Sequence, residues 1–441
     1  MQQRKIYSNR VWVDNKLQPA TIEFDNKTIT AIHFEKRNDA EDIGNSVLMP
    51  GVIDVHVHVN EPGRTAWEGF ETATQAAAAG GTTTIVDMPL NASPVTTTVA
   101  NFKEKLEASI GKMNVNVGFY AGLVPGNSTH LEAMILAGVV GVKCFLTHSG
   151  LDEFPNVTEK DLEEAMPVIA EFKLPLLAHC ELYNTEVATD FDENPTSYQH
   201  YLASRPKKWE NDAVDLMIRM CRKHKCQVHI VHVASADALS KIEAAKKEGL
   251  PITAETCTQY IYFNAEAIPD ANTIYKCAPP IREKANNEQL KQAFLSGVLD
   301  FITTDHSPAP PNIKEIETGN LKKAWGGIAG IQFLLNGSWT ALKNTITLEQ
   351  FIPLVTSKPA RFIKAASKGT IEVGNDADFV IWNPEESSLI KEENVLFRYK
   401  ISPYIGQSLS GVILETIVNG ETVYKNKSIE NKNKGKWLLK K

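Results

Sequence analysis

The sequence has few cysteines, and none of them form a closely spaced pair. Only six occur in 441 residues, and they are scattered: Cys144, Cys180, Cys221, Cys226, Cys257 and Cys277. The absence of a CxxC motif argues against both a disulfide framework and a cysteine-rich zinc site. We therefore expect free thiols in a reducing, cytoplasmic compartment.

Long apolar runs and an excess of basic charge are also absent. No stretch reaches the roughly 18 apolar residues of a membrane-spanning helix, and no apolar run follows the first basic residues, so no secretory signal is expected. Lys and Arg number 46 against 53 Asp and Glu, a net charge of −7 that disfavours a dedicated nucleic-acid-binding role. The Lys-rich segment 425–441 is expected to be a solvated tail.

Strand-like and helix-like segments alternate through the middle of the chain. Eight apolar strand candidates fall within residues 51–365, with helical candidates between most of them, and Thr158 is the expected N-cap of one helix. This alternation is typical of an α/β fold, a parallel (β/α)8 TIM barrel. An open doubly wound sheet is the alternative. No GxGxxG motif follows the first strand, which disfavours a dinucleotide-binding version of that sheet.

Both ends of the chain are rich in short β-strand patterns. β-Branched and aromatic residues alternate with Asn, Asp and Lys turns in residues 1–50, and the same texture returns in 366–441. Chain termini often lie close together. We therefore predict one discontinuous β-domain, 1–50 with 366–441, beside a catalytic domain formed by 51–365.

Polar side chains stand where the predicted strands end, which is where barrel enzymes build their active sites. The chain has only 11 histidines, and four of them occupy such positions. Burying these groups without partners would be costly, and a bound metal would supply the partner. The polar residues at the predicted strand ends are His56, His58, Asp87, Lys143, His179, His232 and Asp305.

The HxH motif of His56 and His58 is the sharpest local signal. Side chains at positions i and i+2 of a strand point the same way, so both imidazoles can reach one ion, and Asp54 shares their face. Asp305 ends the eighth strand and can both bind a metal and act as the general base. His306 points elsewhere by the same alternation, so we expect a structural role for it.

Lys143 lies in an apolar strand, where an ammonium is costly to bury and cannot bind a cation. Burial favours the neutral amine, which can react with CO₂ to form a carbamate whose two oxygens could bridge two metals. Zinc is the expected metal, with cobalt, iron or manganese as alternatives. We predict two divalent ions bridged by N6-carboxylated Lys143 and held by His56, His58, His179, His232 and Asp305.

Several sequence blocks follow one another along the chain: MPGVIDVHVHVNEPGRTAWEGFETATQAAAAGGTTTIVDMPLNASP, GVKCFLTHSG, LLAHCE, IVHVASA, AETCTQY, KCAPPIRE, TTDHSPAP and WGGIAGIQ. These blocks resemble the cyclic amidohydrolase branch of the amidohydrolase superfamily, and within it the allantoinase type. The resemblance covers nearly the whole chain and implies a (β/α)8 barrel with a small β-sandwich built from both chain ends. It also implies the same six metal ligands, a homo-oligomer, often a tetramer, and hydrolysis of a cyclic ureide, allantoin, to allantoate.

Two positions bear on the substrate within this branch. Dihydroorotases usually carry an Arg after the HxH motif to hold a substrate carboxylate, whereas this chain has Asn60, which suits uncharged allantoin. Many relatives have a His where this chain has Gln259. Dihydroorotase and hydantoinase or dihydropyrimidinase activities are the alternatives. The expected substrate contacts are Asn60, Asn91, Cys277, Pro279 and Gly330.

Two functions without catalysis are the alternatives outside the enzyme class. An inactive scaffold would have lost metal ligands, and all six ligand positions are occupied here. A ureide-binding module would resemble a two-lobed hinge protein, and the chain does not. Both are disfavoured relative to a hydrolase.

Overall fold

The computed structural model describes residues 3–183 and 190–440. The termini of the predicted β-domain at residues 1, 2 and 441 lie outside the described residues. The strands are β1 (Arg4–Val13), β2 (Lys16–Phe24), β3 (Ile29–His33), β4 (Glu41–Asp42), β5 (Val47–Pro50), β6 (Val52–Val57), β7 (Thr82–Asp87), β8 (Asn116–Phe119), β9 (Ala121–Gly122), β10 (Val142–Phe145), β11 (Pro175–His179), β12 (Gln227–Ile230), β13 (Ile252–Cys257), β14 (Phe301–Thr303), β15 (Phe379–Leu389), β16 (Ser408–Val418), β17 (Glu421–Lys425), β18 (Ser428–Ile429) and β19 (Trp437–Leu438).

Helices connect most of the central strands, as the alternation predicts. Thr158 caps one of them through a capping box with Asp161, which confirms the expected N-cap. Within the described residues, no helix combines the length and apolarity needed to cross a membrane. The helices are α1 (Phe70–Ala79), α2 (Val99–Ser109), α3 (Leu131–Leu136), α4 (Glu159–Glu171), α5 (Tyr198–Ser204), α6 (Lys207–His224), α7 (Leu239–Lys247), α8 (Thr258–Tyr262), α9 (Lys284–Gln292), α10 (Leu334–Leu342), α11 (Leu348–Val355) and α12 (Ser357–Phe362).

The central strands are parallel and lie in two sheets. One runs in the order β14-β13-β12-β11-β10-β9, and the other contains β6, β7 and β8 in parallel. Backbone contacts link the end of β6 to the segment after β14, since Val57 bridges His306 and the His58 N–H donates to the His306 carbonyl at 2.8 Å. All eight predicted strand regions contain a strand, and the third is divided into β8 and β9. The fold is thus α/β with parallel central strands, and full closure of a barrel stays a prediction.

Strands from both ends of the chain hydrogen-bond into one nine-stranded sheet. Its order is β18-β17-β16-β15-β5-β1-β2-β3, with β4 beside β1, and the two ends meet where β5 pairs antiparallel with β15. Ile6, Phe24, Ile381 and Ile417 belong to the apolar core of this sheet, and all are buried. β5 of this sheet ends at Pro50 and β6 begins at Val52, so the chain passes directly from the sheet into the strand that carries the HxH motif.

The Lys-rich segment near the end of the sequence is docked at its last described residues, contrary to the expected solvated tail. β19 pairs in parallel with β8, the Trp437 indole donates to the Ser109 hydroxyl at 2.8 Å, and the Lys440 N–H donates to the Gly138 carbonyl at 2.9 Å. The reason is that Leu438 and Leu439, within this basic segment, are half-buried and pack against apolar core residues, whereas Trp437 stays largely exposed.

A buried ion pair lies just below the HxH motif. Lys105 of α2 contacts the Asp87 carboxylate at 2.5 Å, and the other Asp87 oxygen accepts the Val59 N–H at 2.8 Å. Both side chains are almost completely buried. Asp87 therefore has a structural role at the end of β7.

Replacing Lys105 by Met should lower the free energy of unfolding by about 3–5 kcal/mol, because it leaves the Asp87 carboxylate buried without its cation. Urea unfolding followed by circular dichroism measures this loss. Lys103→Met is the control, since Lys103 is exposed on the same helix; its effect should stay within about 0.5 kcal/mol. Equal stability of the two variants would contradict the role given to this pair.

Candidate metal centre

His56, His58 and Asp305 meet in one buried cluster. His56 and His58 are two positions apart at the end of β6, so their rings leave the strand on the same side. The Asp305 Oδ1 lies 3.2 Å from the Nε2 of each ring. Ligand atoms of the three residues lie within 4.8 Å of one another, a spacing that one metal ion can span.

The electrostatics of this cluster favour an ionised aspartate. Burial opposes ionisation of Asp305, but His56 and His58 outweigh it and hold the pKa of the carboxyl well below its usual range. Burial would also lower the pKa of His56, yet the carboxylates of Asp305 and Glu255 raise it to about 9. Burial dominates at His58 and lowers its pKa. The Asp305 side chain is therefore a carboxylate that can accept a proton.

His179 and His232 extend the cluster on the far side of His56. The ring centre of His232 lies 5.5 Å from that of His56 and 4.6 Å from that of His179. His232 and Asp305 have φ angles of 41° and 46°, in the left-handed region that non-glycine residues seldom adopt. Such backbone strain is concentrated at functional sites, where surrounding contacts hold it in place.

Lys143 is fully buried in β10 and its amine lacks a hydrogen-bond partner among the described residues. The Nζ lies 4.8 Å from the centre of the Phe145 ring. Burial lowers the pKa of Lys143 to about 8, which makes the neutral amine accessible near neutral pH. An unpartnered amine beside imidazoles and a carboxylate fits a lysine that becomes an anionic metal ligand.

A cavity of about 820 Å³ opens above the cluster. Five of the six predicted ligands line it: His56, His58, His179, His232 and Asp305. Lys143 is not among the lining residues. The cavity is therefore placed to receive a small molecule directly over the imidazoles and Asp305.

The predicted substrate contacts are distributed unevenly around this cavity. Asn91 lines it, whereas Asn60 donates its amide to the Pro308 carbonyl at 3.1 Å and is not among the lining residues. The carbonyls of Cys277 and Pro279 accept hydrogen bonds from buried tyrosines, and Gly330 donates its N–H to His306 Nδ1 at 3.1 Å. Cys277, Pro279 and Gly330 are not among the lining residues, although Ala278 is, and the Ala278–Pro279 peptide bond is cis.

Two further sequence expectations have a structural outcome. His306 is buried and accepts the Gly330 N–H through Nδ1, so its side chain is occupied within the fold, as expected. Gln259 lies buried on α8, and its amide nitrogen lacks a hydrogen-bond partner among the described residues.

Sequence reasoning missed two glutamates that contact the histidines. Glu255 Oε1 lies 2.5 Å from His56 Nδ1, and Glu181 Oε2 lies 2.7 Å from His179 Nε2. The sequence carried a signal for Glu181, because it follows His179 by two residues. Glu255 could have been noticed as a carboxylate inside the apolar strand β13.

Comparison with known proteins gives matches along nearly the whole chain. The Amidohydrolase family profile matches residues 47–423. The allantoinase of Arabidopsis thaliana is 40% identical over 95% of this chain and 87% of its own length, and the allantoinase of Saccharomyces cerevisiae is 39% identical over 96% and 95%. The L-hydantoinase (dihydropyrimidinase) structure from Arthrobacter aurescens matches with a TM-score of 0.92 and 27% identity, covering 99% of each chain. With this cluster at its centre, the chain belongs to the amidohydrolase family and groups there with the allantoinases.

Proposed function

We propose that the protein hydrolyses allantoin to allantoate by opening its five-membered ureide ring. The observation that carries the proposal is the buried cluster of His56, His58 and Asp305 under a cavity, in a chain that matches allantoinases over nearly its whole length. This reaction belongs to the broader class of cyclic-amide hydrolysis. Dihydroorotase and hydantoinase or dihydropyrimidinase activities are the alternatives.

The proposed cofactor is a pair of divalent ions, zinc first, with cobalt, iron or manganese as alternatives. His56, His58 and Asp305 would hold one ion, His179 and His232 the other, and N6-carboxylated Lys143 would bridge them. Such ions activate water at neutral pH and polarise a carbonyl. The fit rests on the donor set, since imidazoles and a carboxylate face one another here and the Lys143 amine has no competing hydrogen-bond partner in residues 3–183 and 190–440.

Asp305 is the proposed general base. Its carboxylate faces the cavity and stays ionised, so it can take a proton from the attacking water and return it to the leaving ring nitrogen. The Ser307 hydroxyl donates to Asp305 Oδ1 at 3.0 Å, which orients the carboxyl group. The C–N bond then opens, and the nitrogen leaves as a neutral ureido group.

Uncharged groups near the cluster suit a neutral ureide. Asn91 and Ser307 line the cavity, and an amide and a hydroxyl can pair with the N–H and C=O groups of such a ring. Arg64, a candidate for holding the carboxylate of dihydroorotate, donates to the Ala92 carbonyl at 2.9 Å and lies 3.4 Å from the Glu153 carboxylate. Arg64 is not among the lining residues, whereas Arg205, Lys276, Lys322 and Lys323 are. The preference for allantoin over dihydroorotate is therefore supported by the similarity to allantoinases and not by the charge of the cavity.

Purified protein supplied with zinc or cobalt and bicarbonate should open allantoin but neither dihydroorotate nor hydantoin. Product formation from each compound at equal concentration measures this preference. Turnover of dihydroorotate instead would assign a carboxylate-binding role to Arg64 or another cation, and turnover of hydantoin would support the hydantoinase alternative. Loss of all activity in protein with bound metal would reject all three substrates.

The remaining parts of the proposal concern architecture and assembly. We propose that the central strands close into a (β/α)8 barrel spanning 51–365. The sheet formed by 1–50 and 366–441 would then fold into a small β-sandwich. The protein would act in the cytoplasm as a homo-oligomer, a tetramer by family resemblance, without nucleic-acid or membrane partners.

A further inference from the structure

Two buried glutamates contact histidines of the centre and are themselves held in place. Glu255 meets His56 and Glu181 meets His179, and both carboxylates are fully buried. We propose that Glu255 and Glu181 are positioning residues, each of which fixes the tautomer and ring orientation of one histidine ligand. This inference rests on the metal centre of the proposed function.

Glu255 fixes His56 through the nitrogen that faces away from Asp305. The carboxylate lies 2.5 Å from Nδ1, while Nε2 lies 3.2 Å from Asp305 Oδ1. An ionised carboxylate can only accept hydrogen bonds, so Glu255 holds a proton on His56 Nδ1. In the neutral ring the lone pair of Nε2 is then directed into the cluster. The ring can then bind an ion without first turning.

Glu255 is itself anchored by a second histidine. Its other oxygen lies 3.1 Å from His229 Nε2, and His229 Nδ1 lies 2.8 Å from the Thr253 hydroxyl. The His229 ring is fully buried and stacks on Phe301 with ring centres 5.1 Å apart. The Glu255–His229 contact is close but lacks hydrogen-bond geometry, and together with the packed His229 ring it restricts movement of the Glu255 carboxylate.

Glu181 fixes His179 through the opposite ring nitrogen. The carboxylate lies 2.7 Å from Nε2, which leaves Nδ1 as the nitrogen free to bind an ion. Arg205 donates to Glu181 through Nε at 3.0 Å and through a second guanidinium nitrogen, and the Arg205 carbonyl accepts from Arg282 at 2.7 Å. Phe145 stacks on the His179 ring with centres 4.4 Å apart, which fixes its plane.

Glu255 and Glu181 therefore contact different histidines, which in the proposed arrangement bind different ions. His56 belongs to the cluster with His58 and Asp305, whereas His179 lies next to His232. Carboxylates that accept a hydrogen bond from a metal-bound imidazole also raise the basicity of the imidazole. Their loss typically costs about 10–100-fold in metal affinity. Each glutamate should therefore control the occupancy of one ion of the pair.

The test is the zinc affinity of Glu255→Gln and Glu181→Gln, measured by competition with a chromogenic chelator. Glutamine keeps the size of the side chain and removes its charge. Each variant should bind one ion about 10–100-fold more weakly, retaining one zinc per chain at a chelator concentration that leaves two in the wild type. The visible spectrum of the cobalt-substituted protein should change in both variants, since it reports the ligands directly.

Glu415→Gln is the matched control. Glu415 is buried and ion-paired, 3.2 Å from Arg4 and 2.7 Å from Lys425, in the nine-stranded sheet away from the histidines. Its zinc affinity and cobalt spectrum should equal those of the wild type even if its thermal stability falls. Thermal unfolding of all three variants without metal separates a stability loss from an affinity loss.

Wild-type zinc affinity in both Glu255→Gln and Glu181→Gln would overturn the proposal, as would an equal loss of affinity in Glu415→Gln. A wild type that binds two zinc ions but leaves allantoin intact would refute the proposed substrate alone, and the affinity comparison would still decide the role of the glutamates. A wild type that binds no zinc would reject both proposals.

Discussion

Replacing Lys143 by Ala is expected to reduce allantoin hydrolysis to the uncatalysed rate. The variant lacks the only side chain proposed to bridge the two ions, and this side chain is fully buried in the wild type. Bound zinc should fall together with the rate. Steady-state assays and metal analysis of the same preparation measure the two effects.

Bicarbonate dependence separates the carbamate from a structural role of Lys143. Metal-free wild-type protein given zinc with bicarbonate should regain activity faster than protein given zinc alone, because the amine must react with CO₂ before it can bind. Lys143→Met, which keeps an apolar side chain of similar length, should be folded and inactive. Two bound zinc ions and normal turnover in Lys143→Met would contradict the bridging role.

Replacing Asp305 by Asn is expected to lower kcat for allantoin by about 10²–10⁴-fold, the usual contribution of a general acid–base group. Asn is as well suited as Asp to the left-handed backbone at this position, where φ is 46°, so the change removes the charge without adding backbone strain. Because Asp305 is also a proposed ligand, kcat has to be measured with zinc in excess and with zinc occupancy determined in parallel.

The pH dependence gives a second measure of Asp305. Its pKa is held well below the usual range of a carboxyl group, so the base form is present throughout the neutral range and is lost only as the pH falls far into the acid range. The acid limb assigned to this group should therefore lie below the range in which an ordinary aspartate titrates. Asp237→Asn, an exposed substitution elsewhere in the chain, is the control. Unchanged kcat in Asp305→Asn would refute its role as the base.

The sequence predicted the parallel strands and the residues of the centre because both follow simple periodicities. Each apolar strand region contains a strand, and residues at strand ends, such as His56, His179 and Asp305, converge because parallel strands end at the same edge. Alternation along a strand also predicted that His56 and His58 point to the same side. Local patterns therefore sufficed for groups carried by the strands themselves.

Contacts between distant segments could not be predicted in this way. Glu255 reaches His56 across 199 positions, and its partner His229 depends on the packing of neighbouring strands. The inward contact of Asn60 with Pro308 depends on the loop after β14, which no periodicity describes. The pairing of Trp437 with β8 could not be predicted either, because the many lysines around it make the segment look like a solvated tail.

The pairing of β19 with β8 has a consequence for how the protein is made. Lys436 donates its N–H to the Asn116 side chain 320 positions away, and the Val117 N–H donates to the Lys436 carbonyl at 2.9 Å. During translation, β8 emerges from the ribosome long before Lys436 and β19 are synthesised. The edge of β8 that pairs with β19 therefore stays unpaired while the central strands assemble. Nascent chains that stall before Trp437 would keep this edge open to other strands, which favours aggregation and chaperone binding.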